Sequence, residues 1–154
     1  MNITEIRQDY FKTNESLREV EKIRQDILKR GIMNVPEHQL ADAVLTLSMY
    51  MVNIGQLFVD LACSSDDDEE NYKYELNEEF IRLKKEAEEK GEKLSDTNAE
   101  NQAISKCAPL KESCRESRDS YNFVMRYYKD IERIISTAQS KMRVGSSEMI
   151  RSNS

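Results

Sequence analysis

One feature constrains this chain more than any other, a heptad repeat that runs from Thr97 to Met142. Apolar or small residues recur there at alternating steps of four and three, which is typical of a helix with one narrow apolar seam. At 1.5 Å per residue such a helix would be about 69 Å long. A small globule has no room to bury so long a seam, so the pattern predicts partner helices. The predicted oligomer seam consists of Tyr121, Val124, Tyr128, Ile131 and Ile135.

The rest of the chain also has the periodicity of helices. Apolar residues at helical spacing predict helices over 3–30, 36–63 and about 70–90. Pro109 lies inside the long helix predicted for about 97–142, and its missing N–H predicts a kink near that position. Few glycines and prolines, four and two in all, argue against a sandwich or barrel. The predicted fold is therefore all-α, with helical hairpins plus one long C-terminal helix, assembling into a helical oligomer.

Two segments between these helices allow more than one interpretation. The helix over 36–63 is apolar on most sides, but Asp42, Asn53 and Asp60 make membrane insertion costly. We expect its own chain and sister subunits to bury it, with no membrane contact. The acidic run Asp66–Glu70 predicts a loop and a helix cap, because acidic residues complement a helix N-terminus. A cation site is the alternative, although the glycine and ligand spacing of a calcium loop are missing.

The chain carries little of the chemistry that an active site needs. His38 is the only histidine, and there is no Ser-His-Asp arrangement, phosphate-binding glycine loop or zinc motif. We predict a protein that is not an enzyme and needs no cofactor or metal. Three cysteines without a signal-peptide pattern favour a reducing cytoplasm. A chain of 154 residues predicts one domain, taken as 1–144, followed by a flexible Ser-rich tail over 145–154.

Positive charge is concentrated towards the C-terminus. Residues 1–100 hold 13 basic and 23 acidic residues, whereas residues 101–154 hold 10 and 6. In the heptad frame, basic residues fall on the face away from the seam, with aromatic residues beside them. Such an arrangement is typical of proteins that hold single-stranded nucleic acid without reading its sequence. The alternative is a solvated outer face, since acidic residues interrupt the stripe. The predicted nucleic-acid-binding residues are Arg115, Phe123, Arg126, Tyr127, Lys129, Arg133, Lys141 and Arg143.

The C-terminal half resembles a known family. The stretch KKEAEEKGEKLSDTNAE is followed by a long helix ending in YNFVMRYYKDIERIISTAQSKMR. Residues 72–143 are similar to the UvsY recombination mediators of T-even phages. The resemblance implies a ring-like oligomer that binds single-stranded DNA and helps a RecA-like recombinase displace single-strand-binding protein. It also implies a phage protein acting in the cytoplasm of the infected host cell. The chain departs from that family in its net acidity, its Asp66–Glu70 run and its serine tail.

Two functional hypotheses follow. The first is a non-catalytic phage recombination mediator, a homo-oligomer larger than a dimer that binds single-stranded DNA. The second is a structural or adaptor helical phage protein, such as an assembly factor or an inhibitor of a host protein, with no DNA binding. A measurement of single-stranded DNA binding distinguishes the two hypotheses.

Overall fold

The computed structural model describes the backbone of residues 11–152 and the side chains of residues 11–146. No strand occurs among these residues, so the predicted all-α class is confirmed. A 3₁₀ turn over Ile32–Asn34 joins the first two helices. The helices are α1 (Glu15–Arg30), α2 (Glu37–Glu89), α3 (Asp96–Lys106) and α4 (Ala108–Ser152).

Helix α1 has a clear capping residue at its N-terminus and a clear stop signal at its C-terminus. The side-chain oxygen of Asn14 accepts a hydrogen bond from the Leu17 N–H at 3.0 Å, which makes Asn14 its N-cap. Residues 11–13 are helical but lie before this cap, so the helix predicted over 3–30 is interrupted, and residues 3–10 lie outside the described part. Gly31 ends α1 with a φ of 75°, a conformation that glycine adopts without steric cost. That predicted stop is confirmed.

Helix α2 is continuous over 53 residues, so the predicted loop at 64–70 is wrong. The acidic run lies on the side of a helix and caps nothing. Asp68 accepts a hydrogen bond from the Ser117 hydroxyl, and Glu69 pairs with Arg118. Because these partners compensate two of the carboxylates, the run stays helical despite its charge.

The predicted long helix over 97–142 is two helices. Ser95 caps α3 by accepting a hydrogen bond from the Asn98 N–H at 3.3 Å, and α3 ends before Cys107. Pro109 then lies in the first turn of α4, where a missing N–H costs nothing. The disruption was predicted at the right place, but as a kink instead of a break. The backbone of α4 remains helical to Ser152, beyond the predicted end at Met142. The flexibility predicted for 145–154 stays a prediction.

The chain divides into two compact units that share helices α2 and α4. Unit 1 comprises Met1–Val59 and Asn122–Ser154, and unit 2 comprises Asp60–Tyr121. Among the described residues, the core of unit 1 is built from large side chains that are completely buried. They are Leu17, Val20, Leu40, Leu47, Ile54, Val124 and Ile131.

The predicted oligomer seam is largely covered within one chain. Val124 and Ile131 are completely buried, and Tyr128 stacks on Phe58 with ring centroids 6.2 Å apart. The expectation that one chain cannot cover these seam positions is therefore wrong. The reason is that α1 and α2 both supply side chains to α4 in unit 1. Tyr121 and Ile135 are half-buried.

Unit 2 has a smaller core. Its completely buried residues are Ala99 and Ala103, and Leu83, Ala87 and Cys107 are nearly so. Ion pairs join its helices, with Lys106 Nζ 2.8 Å from Glu79 Oε1 and Lys84 Nζ 2.8 Å from Asp96 Oδ1. Small side chains such as these let helices approach closely. The two ion pairs connect α2 to α3.

Candidate nucleic-acid interface

Three cations of α4 define the candidate site in unit 1. Arg126, Lys129 and Arg133 are all exposed and lie at spacings of three and four residues, so they share one side of the helix. The rise per residue places them over about 10 Å of helix axis. Val124 and Ile131 fix this orientation because their burial turns the opposite side of α4 towards the core. We call Arg126, Lys129 and Arg133 the basic triplet.

The charges of the basic triplet are not neutralised within the described part of the chain. No carboxylate there lies within 4.0 Å of these three cationic groups. Asp130 lies next to Lys129 in sequence, but it accepts a hydrogen bond from Arg24 Nε at 2.8 Å. Arg24 Nη1 also lies 3.3 Å from Glu21 Oε1, so a single α1 arginine pairs with both Asp130 and Glu21. This arrangement leaves the triplet available to an external anion.

The two aromatic residues predicted to bind bases belong to the core instead. Phe123 and Tyr127 are each 8% exposed. Phe11 packs edge-on against both, with centroid distances of 6.0 and 5.5 Å. Because another ring covers them, neither presents a free face for base stacking, and this part of the predicted site is wrong.

The Tyr127 hydroxyl has a defined partner on α1. It donates a hydrogen bond to Glu21 Oε2 at 2.8 Å. Burial, followed by this hydrogen bond to a carboxylate, raises the pKa of Tyr127 well above its usual value of 10.0. The phenol therefore stays protonated and keeps donating to Glu21 at all ordinary pH values. Its role is to join α1 to α4.

Lys141 is also occupied within unit 1. Its ammonium group donates to the carbonyl oxygens of Met33 and Val35 at 2.8 and 2.6 Å. It thereby satisfies backbone acceptors where the chain turns from α1 into α2. We assign Lys141 a structural role, since a contact with phosphate would compete with these bonds. Arg143 is exposed on α4.

Arg115 lies in unit 2 and is not part of the same site. Its guanidinium group pairs with Glu112 one turn earlier, with Nε 3.0 Å from Oε2. Other cations of unit 2 are engaged similarly, because Lys73 and Arg118 both pair with Glu69. Of the predicted cations, the three of the basic triplet are thus the ones that are exposed and form no ion pair within the described part of the chain.

A second surface feature of unit 1 is an exposed apolar face on α2. The sequence predicts that this helix is buried partly by its own chain and partly by sister subunits, and large apolar side chains on one side of it are exposed within one chain. They are Leu45 (63% exposed), Met49 (67%), Val52 (73%) and Val59 (50%). Their alternating spacing of four and three, with Gln56 completing the series, was the available signal. We call Leu45, Met49, Val52, Gln56 and Val59 the outer stripe.

By length and composition alone, α2 is also apolar enough to cross a membrane. Its inner side is occupied by the core of unit 1, where Leu40, Leu47 and Ile54 are completely buried.

The described residues contain no group of three or more His, Cys, Asp or Glu side chains placed to hold a metal ion. Cys107 is buried in unit 2, and burial raises the pKa of its thiol. A raised pKa makes the thiolate scarce, so this cysteine behaves as a small core residue. Comparison with protein-family models, curated proteins and solved structures gave no match.

Proposed function

We propose that this protein is a non-catalytic recombination mediator of a phage, which binds single-stranded DNA and helps to load a RecA-like recombinase. The observation that carries the proposal is the basic triplet, three exposed cations on one side of α4 with no ion-pair partner in the described part of the chain. The resemblance of residues 72–143 to UvsY-like proteins supports the same function. It would act in the cytoplasm of the infected host cell, alongside single-strand-binding protein.

The binding mode follows from the groups that are available. Arginine and lysine side chains at these positions contact phosphates, which carry no sequence information. Since Phe123 and Tyr127 are buried, base stacking contributes little. Binding should therefore be electrostatic, insensitive to base composition and strongly dependent on salt.

A single copy offers too little charge for tight binding. The chain carries a formal net charge of −6, so phosphate is repelled over most of its surface. Several basic triplets on one strand would add their contributions through effective concentration. The proposal therefore requires a homo-oligomer, which we expect to be larger than a dimer.

A structural or adaptor protein without DNA binding is the second candidate. The outer stripe favours it, because an exposed apolar helix face marks a surface for protein contacts. The covered aromatic rings favour it too, since they remove two of the eight predicted strand-binding residues. In this case the helices would serve an assembly factor or an inhibitor of a host protein.

Strand binding measured over a salt series separates the two candidates. The binding of a long oligo-dT strand is followed by fluorescence anisotropy, with a mixed-sequence strand of equal length as the control for base preference. We expect similar binding to both strands and a steep fall in affinity as salt increases. Absence of binding at about 50 mM salt, where phosphate contacts are strong, would overturn the mediator function and favour the adaptor.

A further inference from the structure

We infer that the outer stripe of α2 is the surface through which one copy of this chain binds a second copy. The inference rests on one part of the proposed function, the formation of a homo-oligomer, and it does not depend on DNA binding. It replaces the predicted seam on α4, whose central residues Val124 and Ile131 are already buried within one chain.

Helix α2 carries two apolar stripes, and the described part of the chain covers only one of them. The inner stripe includes Leu40, Leu47, Met51 and Ile54, which are at most 7% exposed. The outer stripe begins at Leu45 and repeats the same four-three spacing. A shift of five residues, as from Leu47 to Val52, turns the helix by about 140°. Side chains packed on the inner stripe therefore do not reach the outer one.

The surroundings of the outer stripe suit contact between two identical surfaces. The segment 43–59 contains no charged residue, although charged residues make up 34% of the chain. Two copies can therefore bring this face together without like-charge repulsion, despite the net charge of −6. A heptad stripe of this kind interdigitates with a copy of itself as knobs into holes.

The size of the outer stripe also points to a protein partner. Its four large apolar side chains are each at least half exposed and cover four turns of one helix. Such a patch is on the order of a few hundred Å², the upper end of what monomeric proteins expose. A two-fold interface places the patch on both partners and so doubles the buried area. We expect association of moderate strength, in the micromolar range typical of small interfaces (about 1 μM corresponds to 8.2 kcal/mol).

A lipid surface is a less suitable occupant than a second copy. Thr46, Ser48 and Asn53 flank the outer stripe, and this part of α2 has no lysine or arginine to contact lipid headgroups. Helices that lie in a membrane interface usually carry such basic residues beside their apolar face.

The test is the mass of the full-length protein in solution, measured by light scattering over a range of concentrations. Wild-type protein should show a mass of at least twice 18.0 kDa and dissociate on dilution. Val52→Asp should have a smaller mass than wild type at concentrations where wild type is associated, because it places two unpaired charges in the interface. The matched control is Leu28→Asp, which changes an equally apolar side chain, 56% exposed on α1 of the same unit, to the same charge. This control should associate as wild type does.

Gln56→Leu supplies a test in the opposite direction. A polar residue in a heptad seam lowers stability, so this variant should stay associated at least tenfold further into dilution. Circular dichroism establishes that each variant keeps its helices. Three outcomes would overturn the inference: a monomeric wild type at 100 μM or more, well above the expected dissociation constant, equal association of Val52→Asp and wild type, or a monomeric wild type that floats with phosphatidylcholine vesicles. Strand binding is measured separately, so loss of DNA binding alone leaves the inference intact.

Discussion

Units 1 and 2 each contain part of α2 and part of α4, yet they are stabilised differently. Unit 1 buries large branched side chains such as Leu47 and Ile131 completely, whereas the completely buried residues of unit 2 are Ala99 and Ala103. Unit 2 also has ion pairs between its helices, including those of Glu79 and Glu69 with basic residues on neighbouring helices, and such exposed pairs contribute little each. The apolar core of unit 1 accounts for most of its stability, since burial scales with apolar area.

The two units also differ in whether their exposed cations form ion pairs. In unit 2, Lys73, Lys106 and Arg118 pair with carboxylates of their own unit. In unit 1, completely buried side chains hold α4 in place, and the cations of the basic triplet are exposed and form no ion pair within the described part of the chain. In unit 1 the residues that stabilise the fold are thus different from the exposed cations, whereas in unit 2 these cations take part in ion pairs of the fold.

The largest expected effect is on the core of unit 1. Ile131→Asp should destabilise the protein by on the order of 4 kcal/mol or more, because it buries a carboxylate with no partner at a completely buried position. Chemical denaturation with circular dichroism measures this loss. Leu28→Asp, at a position 56% exposed, is the control and should be close to wild type. A folded Ile131→Asp variant that merely dissociates would show that the residue belongs to an intermolecular seam.

Unit 2 should respond most to an increase in side-chain volume. Ala103→Leu should cost about 1–3 kcal/mol, because it adds three carbon atoms at a completely buried position between closely packed helices. Gln102→Leu, one residue earlier on the exposed side of α3, should have little effect. If Ala103→Leu were neutral or stabilising, the close helix contact attributed to the small core would be wrong.

A smaller effect is expected at the hydrogen bond between α1 and α4. Tyr127→Phe should lower the free energy of unfolding by about 1 kcal/mol, because the Glu21 carboxylate loses one donor. Strand binding should not change, since the ring is covered by Phe11. Tyr74→Phe, at a tyrosine that is 61% exposed in unit 2, should leave stability unchanged. If Tyr127→Phe kept its full helicity but bound the strand more weakly than wild type, Tyr127 would belong to the binding site.

The smallest effect concerns the ion pairs of unit 2. Hydrogen bonds from Arg82 and then Lys106 lower the pKa of Glu79 from its usual 4.5 to about 2. A lowered pKa means that the stabilisation is complete above about pH 4.5 and disappears as the pH falls towards 2. Glu79→Gln should therefore be slightly less stable than wild type at pH 7. The difference should vanish near pH 2, whereas a constant difference across this range would assign the effect to packing.

The sequence predicted the helical class because apolar residues recur with helical period through most of the chain. The stop at Gly31 could also be predicted, since glycine adopts the φ of 75° found there. The continuity of α2 could not be predicted. An acidic run is typical of a loop, and the sequence does not show that Ser117 and Arg118 are hydrogen-bonding partners of this run. Those partners are 49 residues away in sequence.

The candidate site was predicted in part for a similar reason. Heptad position identified Arg126, Lys129 and Arg133 as outward-facing, and all three are exposed. The same reasoning placed Phe123 and Tyr127 outside, because it treated α4 as having one buried side. In unit 1, Phe11 and α1 cover a second side. Which sides are covered depends on tertiary contacts, and these are not encoded in the period of a single helix.

The most direct test of this account compares strand binding by two variants that each lose three positive charges. One is Arg126→Gln, Lys129→Gln, Arg133→Gln in unit 1, and the other is Lys73→Gln, Lys106→Gln, Arg118→Gln in unit 2. Affinity for oligo-dT is measured by anisotropy over a salt series, with circular dichroism confirming that both variants are folded. We predict that the unit 1 variant loses most of its affinity and that its salt dependence falls by about two units of slope, the value for three lost phosphate contacts on a single strand. The unit 2 variant should bind nearly as wild type does. Equal losses in the two variants would contradict the account, because binding would then follow overall charge instead of the basic triplet.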